Sequence, residues 1–268
     1  MNPASPAPAL FSPLFIADWT GITFVHFALP AKWLAPHVPH PLDTRDGHAF
    51  VSLVSFRMEN LRPGRWVPSP LGRACLRSIS NHASINLRTY VRGPRGDGIY
   101  FLSEWVDNRL SRLLGALTYG LPYRFAHMQR AELPAGGLTQ IRVTEPGRPG
   151  AIGITVPLAP PSPPTAARPG SLDAFLVERY TACTRRRQRD RCFHIAHRPW
   201  LLTRVDLVRT DTSLIEAMHP WFKYAEPVAT HVGPGAFEVA MSPPRACGVH
   251  APGTIRDGLP SPEPARAE

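Results

Sequence analysis

The sequence predicts an α+β fold, mainly antiparallel β, in which a curved sheet or barrel carries two main packed helices. Two observations predict it. A long series of segments combines β-branched or aromatic residues with Gly, Pro or Asp at the ends, which is the signature of strands. Against these stand two main stretches with helical periodicity and clear end signals. A third observation sets the scale: 43% of 268 residues are hydrophobic, enough for one sizeable core, and the length suits one large domain.

In chain order, residues 1–13 are rich in Pro and Ala and read as a flexible lead-in. Strands are expected at 21–29, 49–58, 83–92 and 99–106, with a helical turn at 31–35. The glycine-rich stretch 93–98 makes a hairpin turn between the last two strands. The first main helix follows Asp107 as N-cap. Its Leu110, Leu113, Leu114 and Leu117 recur at i, i+3, i+4 and i+7, and Gly120-Leu-Pro122 stops it. Further strands are expected at 124–131, 138–143 and 151–156. The Pro-rich stretch 157–170 reads as an exposed loop within one domain, because both its flanks are strand-like. The second main helix follows Ser171 and places Asp173 at the positive end of its dipole. Its apolar stripe is Leu172, Phe175, Leu176, Tyr180 and Cys183. Strands at 192–208, broken near Pro199, and at 236–241 complete the domain, with a helical turn at 212–218. The chain thus divides into a single domain over 14–248 and a disordered tail over 249–268.

Lys+Arg outnumber Asp+Glu by 30 to 20, a formal net charge of +10. Such a surface attracts nucleic acid, anionic membranes or acidic ligands. Only Lys32 and Lys223 are lysine, however, and an arginine-heavy, proline-rich composition is equally what a GC-rich genome produces. The run from Arg185 to Arg191 lacks interleaved aromatic residues for base stacking. It also follows an expected helix end, where cations are favoured. Both points argue against nucleic acid as the partner. Cys75, Cys183, Cys192 and Cys247 show no C-x-x-C spacing, so they read as reduced thiols in a cytoplasmic protein. No stretch approaches the roughly 18 apolar residues that cross a bilayer, so no membrane partner is expected. No metal is expected either. Proline interrupts the His37/His40 pair, and on a strand His194 and His197 point to opposite faces. Without a Walker loop, dinucleotide fingerprint or G-x-S-x-G elbow, no cofactor is expected.

The residues best placed for chemistry lie on the strand at 83–92. There His82, Ser84, Asn86, Arg88 and Tyr90 share one face, while Ile85, Leu87, Thr89 and Val91 share the other. The second set is a core face. The first faces either solvent or a polar cavity. Facing a cavity, Arg88 would hold a carboxylate in its bidentate fork and Asn86 would orient it. The next strand is expected to present Tyr100, Leu102 and Glu104 on one face and Ser103 and Trp105 on the other. Glu104 is expected to pair with Arg88 or Arg109 rather than serve as a general acid, because no second carboxylate sits at useful spacing.

Several phrases then occur in a telling order: Phe24-Val-His-Phe-Ala-Leu-Pro30, Asn86-Leu-Arg-Thr-Tyr-Val91, Tyr119-Gly-Leu-Pro-Tyr123, Phe175-Leu-Val-Glu-Arg-Tyr180 and His197-Arg-Pro-Trp200. The series resembles the YqjF-like family of uncharacterised bacterial proteins, in the acetoacetate-decarboxylase-like superfamily, over about residues 15–244. The resemblance implies a cone-shaped β-barrel with packed helices and a central cavity, which favours the cavity reading of Arg88 and Asn86. True acetoacetate decarboxylases form a Schiff base through a lysine beside a second cationic group. That pair follows a Gly-x-Pro turn. Gly120-Leu-Pro122 is the matching turn here, and Tyr123 and Arg124 fill the lysine positions, so neither can form an imine. Ser84 stands where relatives often carry glutamate. The implied function is a small-molecule pocket that binds or transforms an organic acid or similar metabolite without Schiff-base chemistry. In it Arg88 anchors the anion, Asn86 and Tyr123 hydrogen-bond, Tyr90, Tyr100 and Trp105 form walls, and Arg124 is a second cation. A nucleic-acid-binding or regulatory protein and a structural domain with a vestigial pocket are the alternatives. Catalysis and homo-oligomerisation stay open.

Overall fold

The computed structural model describes residues 11–64, 76–93, 96–133, 137–160 and 162–247. The tail expected at 249–268, most of the lead-in at 1–13, and Cys75 lie outside them. Four long strands form a meander: β1 (Phe15–Pro30), β2 (His48–Pro63), β3 (His82–Gly93) and β4 (Gly96–Val106), with the short helix α1 (Ala31–Leu34) after β1. Helix α2 (Arg109–Thr118) leads to β5 (Tyr123–Phe125), which pairs in parallel with β4. Next come β6 (His127–Leu133), β7 (Leu138–Thr144), β8 (Ile152–Pro157) and the two-residue β9 (Thr165–Ala166). Helix α3 (Leu172–Val177) precedes the hairpin of β10 (Thr181–Arg186) and β11 (Arg189–Ala196). The remaining elements are β12 (Leu201–Arg204), β13 (Arg209–Asp211), α4 (Ser213–Met218), β14 (Glu226–Met241) and β15 (Arg245–Ala246).

Among the described residues these strands make two sheets. The larger has the order β15-β11-β10-β4-β3-β2-β1-β14-β12-β9 with β5 beside β4, and the smaller the order β13-β8-β7-β6. Pairing is mostly antiparallel; β10 runs parallel to β4. β11 also meets β14, Ile195 opposite Met241, so the path from β11 through β4 and β1 to β14 returns to its start.

Both faces of the large sheet are buried. On the outer side Val25, Leu53, Leu87 and Trp105 pack against Ile141, Val143, Ile152 and Ile154 of the small sheet. On the inner side Phe24, Val54, Tyr90, Phe193 and Ile195 form a second cluster. Double burial shows along β3, which is buried at every position from Ser84 to Val91, whichever way the residue points.

Three expectations about local structure need correction. The N-cap of α2 is Asn108, whose Oδ1 accepts from the backbone N–H groups of Leu110 and Ser111; Asp107 instead accepts from the Ala83 N–H of the neighbouring strand. At its other end Gly120, at φ +72°, supplies the left-handed residue that ends the helix. The second expected helix starts as read, with Ser171 accepting from Ala174 N–H, but it stops at Val177. Cys183 therefore lies on β10, and the stripe running to Tyr180 and Cys183 is not a helical face. The arginine run does not follow a helix end; it is the β10–β11 hairpin, with Arg187 and Gln188 at positive φ in a two-residue turn. Three of its arginines make contacts within the fold. Arg185 pairs with Asp190 through two hydrogen bonds, while Arg186 and Arg191 donate to Ala116, Leu117 and Thr118 carbonyls at the end of α2.

The cysteines also depart from expectation. Cys192 and Cys247 form a disulfide across the β11–β15 pairing. The two are separated by 55 residues, so spacing alone gave no sign of the pairing. Among the described residues no helix is long and apolar enough to cross a membrane.

Candidate functional site

On β3, His82, Ser84, Asn86, Arg88 and Tyr90 are all buried, so the solvent-facing reading of this polar row does not hold. They point to the inner side of the large sheet, where a cavity of about 210 Å³ lies between β1, β2, β3, β4, β11 and α2. Most of its wall is apolar: Trp19, Phe24, Phe56, Phe193, Trp200 and Met241 all face it. Polar groups are few and sit at defined places.

Arg88 reaches the cavity from β3 with 7% of its surface exposed. Its guanidinium lies 5.3 Å from the centre of the Phe24 ring, and Nη2 donates to the Leu176 carbonyl at 3.4 Å. Nε has no partner, and among the described residues Arg88 joins no ion pair. Burial pulls its pKa down from the usual value. Behind it Tyr90 donates to the Leu176 carbonyl at 2.7 Å and contacts Ser52, which in turn meets His26 Nδ1 at 2.6 Å. Tyr90 thus supports the arginine rather than lining the cavity. Arg179 also faces the cavity, but Asp43 neutralises it at 2.9 Å and its Nε donates to the Phe175 carbonyl.

Glu104 enters from β4, opposite Asn86 in the strand register. It forms no ion pair with Arg88 or Arg109, contrary to expectation. Ser84 Oγ donates to its Oε1 at 3.1 Å, and Oε2 has no partner. Desolvation raises its pKa to about 8, so at pH 7 it is mainly a neutral carboxylic acid. Ser84 acts through this contact. Asn86 lines the cavity with its Oδ1 unpartnered, which leaves an acceptor facing the void. Tyr123, on β5 opposite Glu104 of β4, lines the cavity. Helix α2 can approach it only because residue 115 is glycine: a Cβ there would stand 2.1 Å from the Tyr123 ring.

The other titratable groups in the wall are neutral. Burial lowers the pKa of His197 to about 4, and that of His82 below its usual value. His82 donates from Nδ1 to the Ile79 carbonyl at 3.0 Å, leaving Nε2 as an acceptor without a partner. Tyr119 and Tyr123 are both pushed up by desolvation and stay protonated. Among the described residues the cavity therefore contains one buried cation without a carboxylate partner, Arg88, surrounded by neutral hydrogen-bonding groups and aromatic walls. A buried charge in that state costs free energy unless something pairs with it.

Tyr100 and Trp105, expected like Tyr90 as walls, and Arg124, expected as a second cation, also lie elsewhere. The β3–β4 register shifts between Leu87 and Arg88, leaving Leu102 without a direct partner. Alternation therefore reverses: Ile99, Phe101 and Glu104 face the cavity, whereas Tyr100 and Leu102 pack toward the outer core. Trp105 is also in the outer core and donates from Nε1 to Glu145. Arg124 pairs with Glu145 through two hydrogen bonds, at 2.7 and 2.5 Å, in a separate cleft beyond Tyr123. It is no second cation in the cavity. Conversely, residue-type reasoning passed over Tyr119 and Arg179 and weighed His197 only as a metal ligand. Each sits inside one of the recurrent phrases at 119–123, 175–180 and 197–200, which was the available signal.

Neither lysine reaches the cavity wall. Lys32 is exposed on α1, and Lys223 is exposed in the 3₁₀ turn Pro220–Tyr224.

Comparison with known proteins agrees with this architecture. The chain is 34% identical over 187 residues to the uncharacterized protein YqjF of Bacillus subtilis (strain 168), covering 69% of this chain and 73% of that one. Its fold is similar to that of an acetoacetate decarboxylase-like enzyme from Sphingomonas wittichii RW1, with a TM-score of 0.57 at 14% identity, covering 89% and 94% of the two chains. It is also similar to the enduracididine biosynthesis enzyme MppR complexed with pyruvate, with a TM-score of 0.56 at 13% identity, covering 91% and 99%. Residues 16–235 match the model of DUF2071, described as an uncharacterized conserved protein, and the chain belongs to that family.

Proposed function

We propose that the protein binds a small organic acid with a largely apolar body, its carboxylate held by Arg88, in the cavity enclosed by the large sheet. We read the closed path of strands from β11 to β14 as a barrel around this site. The observation that carries the proposal is the buried Arg88 guanidinium, which has an unpartnered Nε, no ion pair among the described residues, and aromatic walls beside it. A carboxylate there would satisfy the free donor and neutralise the charge in one bidentate contact. Neutral Glu104, Tyr123 and Asn86 offer hydrogen bonds to a second polar group on the same ligand, while the apolar wall takes its body. The pyruvate complex of MppR, a structural neighbour, supports the choice of an acid. Imine chemistry is not part of the proposal, because no lysine lines the cavity.

A thermal-shift screen tests this reading. Keto, hydroxy, fatty and aromatic acids are each compared with a neutral analogue. An acid present at about 100 times its dissociation constant stabilises by roughly 2.7 kcal/mol. For a domain of this size, each kcal/mol raises Tm by about 2–4 °C. Acids should shift the wild-type protein more than their neutral analogues do. No shift with any acid would reject the proposal.

A further inference from the structure

The disulfide leaves a third sulfur close by. Cys183 stands directly opposite Cys192 in the antiparallel β10–β11 pair, and its Sγ lies 3.0 Å from Cys192 Sγ. Cys192 is bonded on its other side to Cys247, and the three sulfurs all lie within 4.8 Å of one another. Cys183 and Cys192 are each 1% exposed, whereas Cys247 is half-buried at the rim. A sulfur in contact with a disulfide is placed to attack it, and half-buried Cys247 gives the link an outlet toward solvent.

We propose that Cys183, Cys192 and Cys247 form a thiol–disulfide exchange site whose outer member reacts with low-molecular-weight thiols and disulfides. In the internal step the Cys183 thiolate attacks Cys192 Sγ. A Cys183–Cys192 bond forms, the Cys192–Cys247 bond breaks, and its electron pair leaves on Cys247 Sγ. The proton lost by Cys183 is balanced by the one Cys247 takes up, so there is no net oxidation. Cys247 then carries an accessible thiol. It can displace one half of a small disulfide, giving a mixed disulfide on Cys247 and releasing the other half as a thiol.

Exchange also changes how the end of the described chain is held. In the resting link, Cys247 ties β15 covalently to β11. After exchange β15 keeps the pairings of Ala246 with Arg191 and Arg245 with Cys192, and the Cys247 N–H bond to the Asp190 carbonyl at 3.0 Å. So short a strand without a covalent tie frays readily. The same strand β11 supplies Phe193 and Ile195 to the cavity wall, so the exchange site adjoins the cavity but does not depend on its ligand.

The test is disulfide mapping of the full chain in a Cys75→Ser background, equilibrated in a buffer of reduced and oxidised glutathione, acid-quenched and alkylated. Trypsin cuts at the arginines between residues 185 and 191 and at Arg245, which places the three cysteines in separate peptides. Cys183→Ser should keep the 192–247 link. Cys247→Ser should form the 183–192 link instead, and the otherwise unaltered chain should show both, with glutathione found on Cys247. Faster hydrogen exchange at the Cys247 amide should accompany the 183–192 form. If Cys247→Ser leaves Cys183 and Cys192 fully alkylated in a buffer that oxidises the 192–247 pair, the proposal is overturned. Should that variant fail to fold, the chain with all three cysteines decides alone: the 192–247 link as sole product, with no 183–192 link over time, overturns it equally.

Discussion

The two sides of β3 are buried to the same depth, yet they are built for different ends. Toward the small sheet, Ile85, Leu87 and Val91 carry no polar side-chain atoms and meet apolar partners. Toward the cavity, Asn86 and Arg88, with Glu104 across the ladder, keep unpartnered polar atoms facing a void. One side holds the fold together. The other spends part of that stability on a site, since unsatisfied buried polar groups cost on the order of 1–3 kcal/mol each. Substitutions on the two sides should therefore act in opposite directions.

The largest loss is expected on the filled side. Leu87→Ala removes a fully buried side chain from a packed cluster and should lower unfolding free energy by about 2–5 kcal/mol in denaturant titration. A loss well under 1 kcal/mol would mean that this side is not close-packed.

On the cavity side, Glu104 should impose a pH dependence of its own. Its carboxyl titrates near 8 in the folded protein against about 4.5 unfolded, so the unfolded state loses the proton first. Stability then falls as pH rises from about 4.5 to 8, by at most roughly 4–5 kcal/mol. Glu104→Gln should flatten that slope and be more stable than wild type at pH 8. Identical pH profiles would show that Glu104 is ionised and paired.

His197 works at the acid end. Its pKa is near 4 folded and 6.5 unfolded, so protonation favours the unfolded chain as pH falls between those values. His197→Phe should recover up to roughly 3 kcal/mol of the stability lost between pH 6.5 and 4. The smallest effect belongs to Asn86. Asn86→Val removes an acceptor with no partner and should be neutral or stabilising by up to about 1 kcal/mol, while weakening ligand binding. A clear destabilisation would place a satisfied hydrogen bond at that side chain.

The same contrast marks what could be read from the chain. Alternation along β3 was visible because it is local, and so was the Ser171 cap. What escaped was set by neighbours distant in sequence. The shift at Leu102 reverses the facing of Tyr100 relative to Glu104, and nothing within β4 announces it. Arg124 found Glu145, 21 residues further on, and not the cavity. Cys192 and Cys247 meet only because β15 returns to β11. The arginine run looked like a helix end or an anion patch, whereas its carbonyl partners belong to α2, about 70 residues earlier. For the site, residue type marked Arg88, Asn86 and Tyr123. The neutrality of Glu104 depends on a burial that only the folded chain displays.

The most direct test of the account is calorimetric titration of one apolar carboxylic acid and its primary amide into wild type and Arg88→Gln at pH 7. A hydrogen-bonded charge contact contributes about 1.5–3 kcal/mol, a factor of roughly 10–100 in affinity. The account predicts that wild type prefers the acid by about that factor and that Arg88→Gln loses the preference while still binding the amide. Equal affinity for acid and amide in wild type, or a preference that survives in Arg88→Gln, would contradict the assignment of Arg88 as the anchor.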